Sequence, residues 1–587
     1  MTRHIVGIDL GTTNCALSCR GFEEASADVV SIPQLTAAGT VEERLLLPSF
    51  IYLAKEGEFP DGALALPWDK QAEYATGEFA RAHGAKVPTR LVASAKSWLS
   101  HAGVERTGGL LPWQAPPEVE RISPVEASAR YLRHLAGAWK ASRKSDLDSE
   151  EIILTVPASF DAAARELTTQ AATQAGLPNL TLLEEPQAAL YAWLEGVGDG
   201  FRKQVQVGDV ILVVDVGGGT TDFSLIAVTE QTGDLQLTRI AVGDHILLGG
   251  DNMDLTLAHH LAQDKTLDAW QFTALTFGCR QAKETLFVDP KFKKVPISIP
   301  GRGSALIGST IKTELTRDDV TRILIDGFMP TGGIDDLPRT TRRTGLTQIG
   351  LPYAQDPGIT RHLAAFLTRQ SRIAEGKAFV HPTAILFNGG VFKAPQLKQR
   401  LVDVVNDWLA KDAGSPVKEL KGADLDLSVA RGAAYYGWVR HGHGIRIRGG
   451  TARAYYVGVE AAMPAVPGFE PPVKALCVAP FGMEEGTNAD VPPQEFALVV
   501  GEPAVFRFFA SSVRREDRVG SMIDNAGSDE LEEVAPIETT LSGDPGKLVP
   551  VNLQAAVTEV GTLELRCLEK SGAGRWKLEM NVRLKDE

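Results

Sequence analysis

Two short stretches of this sequence set carboxylates, glycines and hydroxyls in an order suited to phosphate and metal chemistry. The first is Asp9-Leu-Gly-Thr-Thr, with Gly11, Thr12 and Thr13; the second is Asp215-Val-Gly-Gly-Gly-Thr-Thr-Asp, with Gly217, Gly218, Gly219, Thr220 and Asp222. Glycine lets backbone N–H groups approach phosphate oxygens with no Cβ in the way, and threonine hydroxyls add donors. Aspartates suit a hydrated Mg²⁺, which keeps several waters instead of entering a closed protein cage. A plain hairpin needs only one or two turn residues, so the surplus in ILVVDVGGGTTDFSL asks for a ligand. Neither loop ends in the Gly-Lys-Ser/Thr of a Walker loop.

Such loops need strands to carry them. IVGIDLG and ILVVDVG are apolar runs of strand type, and the recurrence of strand, carboxylate, glycine and hydroxyl implies two related lobes facing each other across a cleft. Between them the pattern alternates. ISPVEASARYLRHLAGAWKA has apolar residues at helical spacing after Ser123, with Pro124 at the first helical position, and EIILTVPASF is a strand. DAAARELTTQAATQAG then reads as a helix, LTLLEEP as a strand and QAALYAWLEG as a helix, so a sheet covered on both faces is expected. From about Tyr455 helical spacing gives way to short segments such as FALVVGE, AVFRFFA and TLELRCLE, which read as a separate β domain. VRHGHGIRIRGGTAR is the expected linker, and the loop-rich insert from Met329 to Gly358 is long enough to be functional.

The 587 residues exceed what one core serves, so several domains or lobes are expected. A formal net charge of -14 argues against nucleic acid as the main partner. No apolar run is long enough to span a membrane, and the N-terminal residues do not read as a signal peptide, so a cytoplasmic protein is expected. Cys15, Cys19, Cys279, Cys477 and Cys567 are too scattered for a disulfide framework. Cys15 and Cys19 would share one side of a strand, but no second ligand pair at zinc spacing accompanies them, which favours core thiols.

IVGIDLGTTN, ILVVDVGGGTTDFSL and AILFNGGVFKAPQLKQRL resemble, in order, the two phosphate loops and the adenosine segment of the actin, sugar-kinase and heat-shock ATPase superfamily. ILTVPASFDAAARELTTQAATQAGL, LLEEPQAALYAW, LLGGDNMD and SVARGAAYYG narrow the resemblance to DnaK-type chaperones of the 70-kilodalton heat-shock family. The resemblance implies an α/β, two-lobed actin-like ATPase fold followed by a smaller all-β domain: residues 1–440 for the ATPase, 441–454 for a linker and 455–587 for a substrate-binding-like β domain.

It also implies roles. Asp9 and Asp215 would hold the waters around Mg²⁺, while Gly11, Thr12, Thr13, Gly217, Gly218, Gly219 and Thr220 would contact phosphate. Asp222 would stand beside the attacking water together with Thr220, and Glu185, before Pro186, would organise the metal and water shell. Lys96, by itself readable as a surface lysine, falls where the family keeps a lysine reaching the γ-phosphate. Gly249, Gly250, Lys283, Gly389, Gly390 and Asp426 would complete the nucleotide site. Pro157 and Arg165, otherwise a strand-ending proline and a surface arginine, have the spacing at which the family couples nucleotide state to its outer domain.

Departures from the family cluster at the base end: Arg280, Glu284 and Phe287 replace its usual Glu, Arg and Ser, and Val391 and Lys393 its Ser and Arg. GIRIRG stands where an acidic-leucine linker is expected, and no helical lid segment follows GTLELRC before RWKLEMNVRLKDE, which implies client binding that is loose or absent. The implied activity is Mg-dependent hydrolysis of ATP to ADP and phosphate, coupled to binding of unfolded or extended polypeptide, with J-domain and nucleotide-exchange co-chaperones as partners. An actin-like structural ATPase and a small-molecule kinase are the alternatives.

Overall fold

The computed structural model describes residues 4–581 except 25, 102, 232–233, 245, 300, 302–309, 340–349, 371–376, 423, 446, 449–450, 452, 461–471, 485, 494–495, 512–513, 515, 528–529 and 559–561. The chain forms two compact units, 1–447 and 448–587, and the division falls inside the segment 441–454.

The first unit contains two sheets of like topology. One is built from β1 (His4–Leu10), β2 (Asn14–Gly21), β3 (Asp28–Val29), β4 (Leu46–Pro48), β5 (Glu151–Val156) and β6 (Leu180–Glu184), in the order β6-β5-β1-β2-β3 with β4 also on β2. The other comprises β7 (Val210–Val216), β8 (Thr221–Gln231), β9 (Asp234–Val242), β10 (Ala384–Asn388), β11 (Lys418–Glu419) and β12 (Ile447–Arg448), in the order β11-β10-β7-β8-β9-β12. In both, a hairpin of two antiparallel strands carries the glycine-threonine loop, and a parallel strand joins the first strand of that hairpin on its other side. Central strands such as VILVVDV are almost wholly buried, as parallel strands covered on both faces must be.

The helices that matter to the site are α1 (Ala95–Leu99), α2 (Pro124–Arg143), α3 (Ala162–Gln174), α4 (Glu185–Val197), α5 (Gly250–Ala262), α6 (Ala269–Val288) and α7 (Ser428–Arg440). The start of α2 follows its expected chemistry: the Ser123 hydroxyl accepts from the Glu126 N–H, and Pro124 opens the helix. Separate apolar cores fill the lobes, one around Val6, Ile8, Leu132 and Leu154 and the other around Leu212, Val214, Leu257 and Phe387. A third cluster, with Ile5, Ile153, Trp193, Val213, Leu386 and Tyr436, joins both sheets through α4 and α7. There α7 presses on α4, and a Cβ at Gly432 would stand 1.7 Å from the Ala188 carbonyl oxygen.

Ile447, inside the expected linker, is 5% exposed and its N–H donates to the Tyr191 hydroxyl at 3.0 Å, while β12 pairs with β9. Arg446 and Gly449 of the GIRIRG stretch lie outside the described residues, as do 340–349 of the insert and 582–587. The described ends of the insert are tied down. Asp356 accepts from the N–H groups of Arg339 and Gly358, each at 2.7 Å, and the Gly332 carbonyl accepts from the Trp408 indole at 2.6 Å. All five cysteines are free and buried, as core thiols should be.

The described residues of the second unit form two sheets. One orders Met522–Ile523, Val473–Ala479, Ala454–Glu460, Pro503–Ser511 and Glu532–Thr540; the other places Thr487–Asp490 and Phe496–Val500 on Lys547–Val557, followed by Thr562–Glu569 and Arg575–Asn581. Their inner faces share a core that includes Tyr455, Leu476, Phe508, Val551 and Leu565. Among the described residues no helix is long and apolar enough to cross a membrane.

Candidate functional site

Strand register sets the floor of the site in the second lobe. Asp215 stands opposite Asp222 on β8 and Asn388 on β10, so the three side chains share one face at the strand ends. Asn388 donates from Nδ2 to Asp215 Oδ2 at 2.7 Å, and Ser428 at the start of α7 donates to Asn388 Oδ1 at 2.7 Å. In the first lobe Asp9 is the penultimate residue of β1, Lys96 lies in α1 and Glu185 opens α4. The Lys96 ammonium is buried and pairs with Glu185 Oε1. It is therefore not a surface lysine.

The electrostatics are those of a site short of positive charge. Burial and then the nearby Glu185 push Asp9 up to about 7, against the pull of Lys96. Burial, Glu185 and Asp222 together hold Asp215 well above the carboxylate range, and burial also raises Glu185 and Asp222. Burial alone would depress Lys96, yet Glu185 and Asp9 hold it above its ordinary value. Four carboxylates around one ammonium suit a hydrated divalent cation. Among the described residues no group of three or more His, Cys, Asp or Glu side chains is arranged to hold a metal ion directly through its own atoms.

The two glycine-threonine loops meet. A Cβ at Gly218 would lie 1.9 Å from Thr13 Oγ1, and one at Gly219 2.5 Å from Ser97 Oγ, so only glycine permits this approach between lobes. The carbonyls of Gly217 and Gly218 accept from the N–H groups of Gly250 and Asp251, which fixes the second loop to the start of α5. Across the cleft, Ser94 in a left-handed conformation donates to Asp251 Oδ2 at 2.6 Å, and Phe50 meets Phe277 edge-on with centroids 6.1 Å apart.

A cavity of about 970 Å³ lies along these groups. Its walls include Asp9, Gly11, Thr12, Thr13, Lys96, Glu185, Asp215, Gly217, Gly218, Thr220, Gly250, Lys283, Gly389, Gly390 and Asp426. Gly219, Asp222 and Gly249 are neighbours of lining residues and not part of the lining; Asp222 is 3% exposed and accepts from the Ser159 N–H at 3.3 Å. Sequence reasoning missed Asn388, Ser94 and Asp251. Asn388 had a local signal, a polar residue near the end of an apolar strand just before Gly389-Gly390, whereas Ser94 and Asp251 are defined by partners remote in sequence, each other across the cleft and, for Asp251, Arg280 as well.

At the far end the altered residues have partners of their own. Arg280 binds Asp254 through Nε at 2.7 Å and also pairs with Asp251, Lys283 pairs with Asp254 at 2.7 Å, and Lys393 pairs with Asp426 at 2.6 Å. Apolar Phe287, Val391, Leu425 and Val429, with Glu284, make up much of the remaining wall.

The model of the Hsp70 protein family matches residues 5–324, more than half of the chain. The chain belongs to the Hsp70 family. Similar curated proteins are the chaperone protein HscA of Enterobacter sp. (strain 638), 31% identical over 273 residues, which are 44% of this chain and 38% of that protein. The HscA homolog of Shewanella sediminis (strain HAW-EB3) is 31% identical over 299 residues, 48% of this chain and 42% of its own. The HscA homolog of Pseudomonas aeruginosa (strain UCBPP-PA14) is 32% identical over 280 residues, 46% and 39% of the two chains. The match thus spans about two fifths of the length of these relatives.

Arg280 and Lys283 are both engaged by Asp254, so a base seated beside them, as the sequence resemblance implies, would meet donors already paired. ADP is expected to bind this Hsp70 more weakly, and to leave faster, than in relatives with the usual residues. Calorimetry with ADP and GDP checks this, and tight ADP binding with strong rejection of GDP is the contrary result.

Proposed function

We propose that the chain binds Mg·ATP in this cavity, hydrolyses it to ADP and phosphate, and uses the nucleotide state to control binding of extended polypeptide by residues 448–587. The supporting observation is the convergence of Asp9, Lys96, Glu185 and Asp215 on one cavity wall, beside two glycine-threonine loops in contact. Mg²⁺, held through water by Asp9 and Asp215, would supply positive charge to the phosphates. The raised carboxylates fit that group, since each is disfavoured until a cation arrives.

The protein's own groups then divide the work. The N–H groups of Gly218 and Gly219 and the hydroxyls of Thr12, Thr13 and Thr220 cradle the phosphates, while the Gly217 N–H closes the loop on the Thr220 carbonyl at 3.0 Å, and Lys96 spreads the negative charge that develops on the transferred phosphoryl group. Glu185 and Asp222 orient the attacking water, and no covalent nucleophile is needed. Client binding by strand addition suits an all-β second unit. Family membership supports J-domain and nucleotide-exchange proteins as partners and the cytoplasm as location.

The test is ATP turnover with and without an unfolded polypeptide, in the full chain and in one ending at Arg448. Ile447 is already buried within the first unit, so truncation is expected to leave basal turnover within about threefold, equivalent to ~0.65 kcal/mol. Stimulation by polypeptide should disappear. Loss of basal activity in the shortened chain would instead make the β unit part of the catalytic machine.

A further inference from the structure

Glu184, the last residue of β6, precedes Glu185 directly and is fully buried, with a side-chain exposure of 0%. Two arginines hold it: Arg239 NH1 lies 2.9 Å from Oε2 and Arg165 NH2 lies 3.5 Å from Oε1. Both arginine side chains are 5% exposed, and Arg165 NH2 also donates to the Ala158 carbonyl at 3.2 Å. Arg165 is therefore no surface residue. It belongs to α3 in the first lobe, whereas Arg239 belongs to β9 in the second.

A carboxylate leaves water completely only where cations and hydrogen bonds replace its hydration, and removing one partner strands a buried charge. The backbone at residue 184 is consequently fixed from both lobes. Glu184 is extended, with φ -78° and ψ 139°, and occupies the N-cap position of α4 without a side-chain capping bond, just ahead of Pro186, which leaves little conformational slack. A shift of residue 184 carries the Glu185 carboxylate with it, and that carboxylate meets Lys96 on the cavity side.

We propose that Arg239, acting through Glu184, is a positioning residue for the Glu185–Lys96 pair, so that the pair takes its working geometry only when β9 of the opposite lobe is in register. The proposal rests on the assignment of that pair to ATP hydrolysis. Small displacements of reacting groups lower kcat steeply, whereas they leave affinity gained along the rest of the nucleotide in place.

The experiment uses the full chain with Arg239→Leu and Arg239→Lys. In Arg239→Leu, kcat for ATP is expected to fall about tenfold with KM within about twofold. Amide hydrogen exchange at 182–189 should speed up at least about fivefold relative to the rest of the first lobe. Arg239→Lys, which keeps the charge but not the planar fork, should recover much of both losses. Unchanged exchange at 182–189 in Arg239→Leu overturns the proposal. So does a fall in kcat matched by an equal rise in KM, because that pattern is general loosening. If the unaltered protein does not turn over ATP, the hydrolysis assignment fails, and the exchange arm still decides whether Arg239 holds residue 184.

Discussion

Asparagine at position 215 is expected to lower ATP turnover by at least about 10²-fold while nucleotide still binds, because the lost orienting charge is felt most in the transition state. The substitution is nearly isosteric, and an amide oxygen can still accept from Asn388 Nδ2, which is 2.7 Å from the present carboxylate. The same variant carries a second expectation of opposite sign. Burial, Glu185 and Asp222 raise Asp215 well above its ordinary value. A carboxylate raised on folding destabilises the native state as pH climbs through and above the ordinary carboxylate range, and the penalty fades below it. Without metal, Asp215→Asn should therefore melt at a higher temperature than the parent at pH 8, with the gap closing towards pH 4. Turnover equal to the parent would remove Asp215 from the metal assignment.

Replacing Lys96 with methionine is the complementary experiment. The side chain is buried and paired with Glu185, and Asp9 lies close enough to add to its raised pKa. Loss of one preorganised positive donor should lower kcat by roughly 10²–10³-fold. It should also destabilise the metal-free fold by about 3–5 kcal/mol, since a buried carboxylate loses its counter-charge. The double variant Lys96→Met with Glu185→Gln removes both charges and should regain most of that stability with no return of activity. Thermal melts and single-turnover hydrolysis on the three proteins separate the two effects. A Lys96→Met protein of normal kcat would return Lys96 to a purely structural part.

What the sequence disclosed about this molecule was local. Asp9 and Asp215 announced themselves because each stands near the end of an apolar strand and precedes glycine and threonine, and Ser123-Pro124 marked a helix start to the residue. The alternation from Glu151 to Gly196 likewise gave its strands and helices, since burial on both sheet faces writes continuous apolar runs. Long-range ion pairs write nothing periodic. Arg280 read as a foreign residue at the base end, yet its partners are Asp251 and Asp254, more than twenty positions away. Arg165, read as a coupling residue with an exposed helix position as the lesser alternative, is shown to be enclosed only by the approach of Glu184 and by Arg239 on the other lobe. The insert from Met329 to Gly358 had loop composition, which gave no hint that Asp356 would be 3% exposed and hydrogen-bonded at both of its oxygens.

The contact of α7 with α4 limits how the lobes can move. A side-chain carbon at Gly432 would collide with Ala188, one at Gly7 would stand 2.1 Å from the Ala430 oxygen, and one at Gly437 2.3 Å from Ile5. Gly432 and Gly7 thus let a strand and two helices touch backbone to backbone, while Gly437 leaves room for the Ile5 and Ile153 side chains. Such a seam resists separation, which would open a void along its whole length, but it offers few ridges against sliding. Rearrangement between the sheets is thereby channelled into glide and rotation along the helix surfaces, a shear with one soft direction. A single alanine at Gly432 would wedge that bearing apart without touching any group that meets the nucleotide.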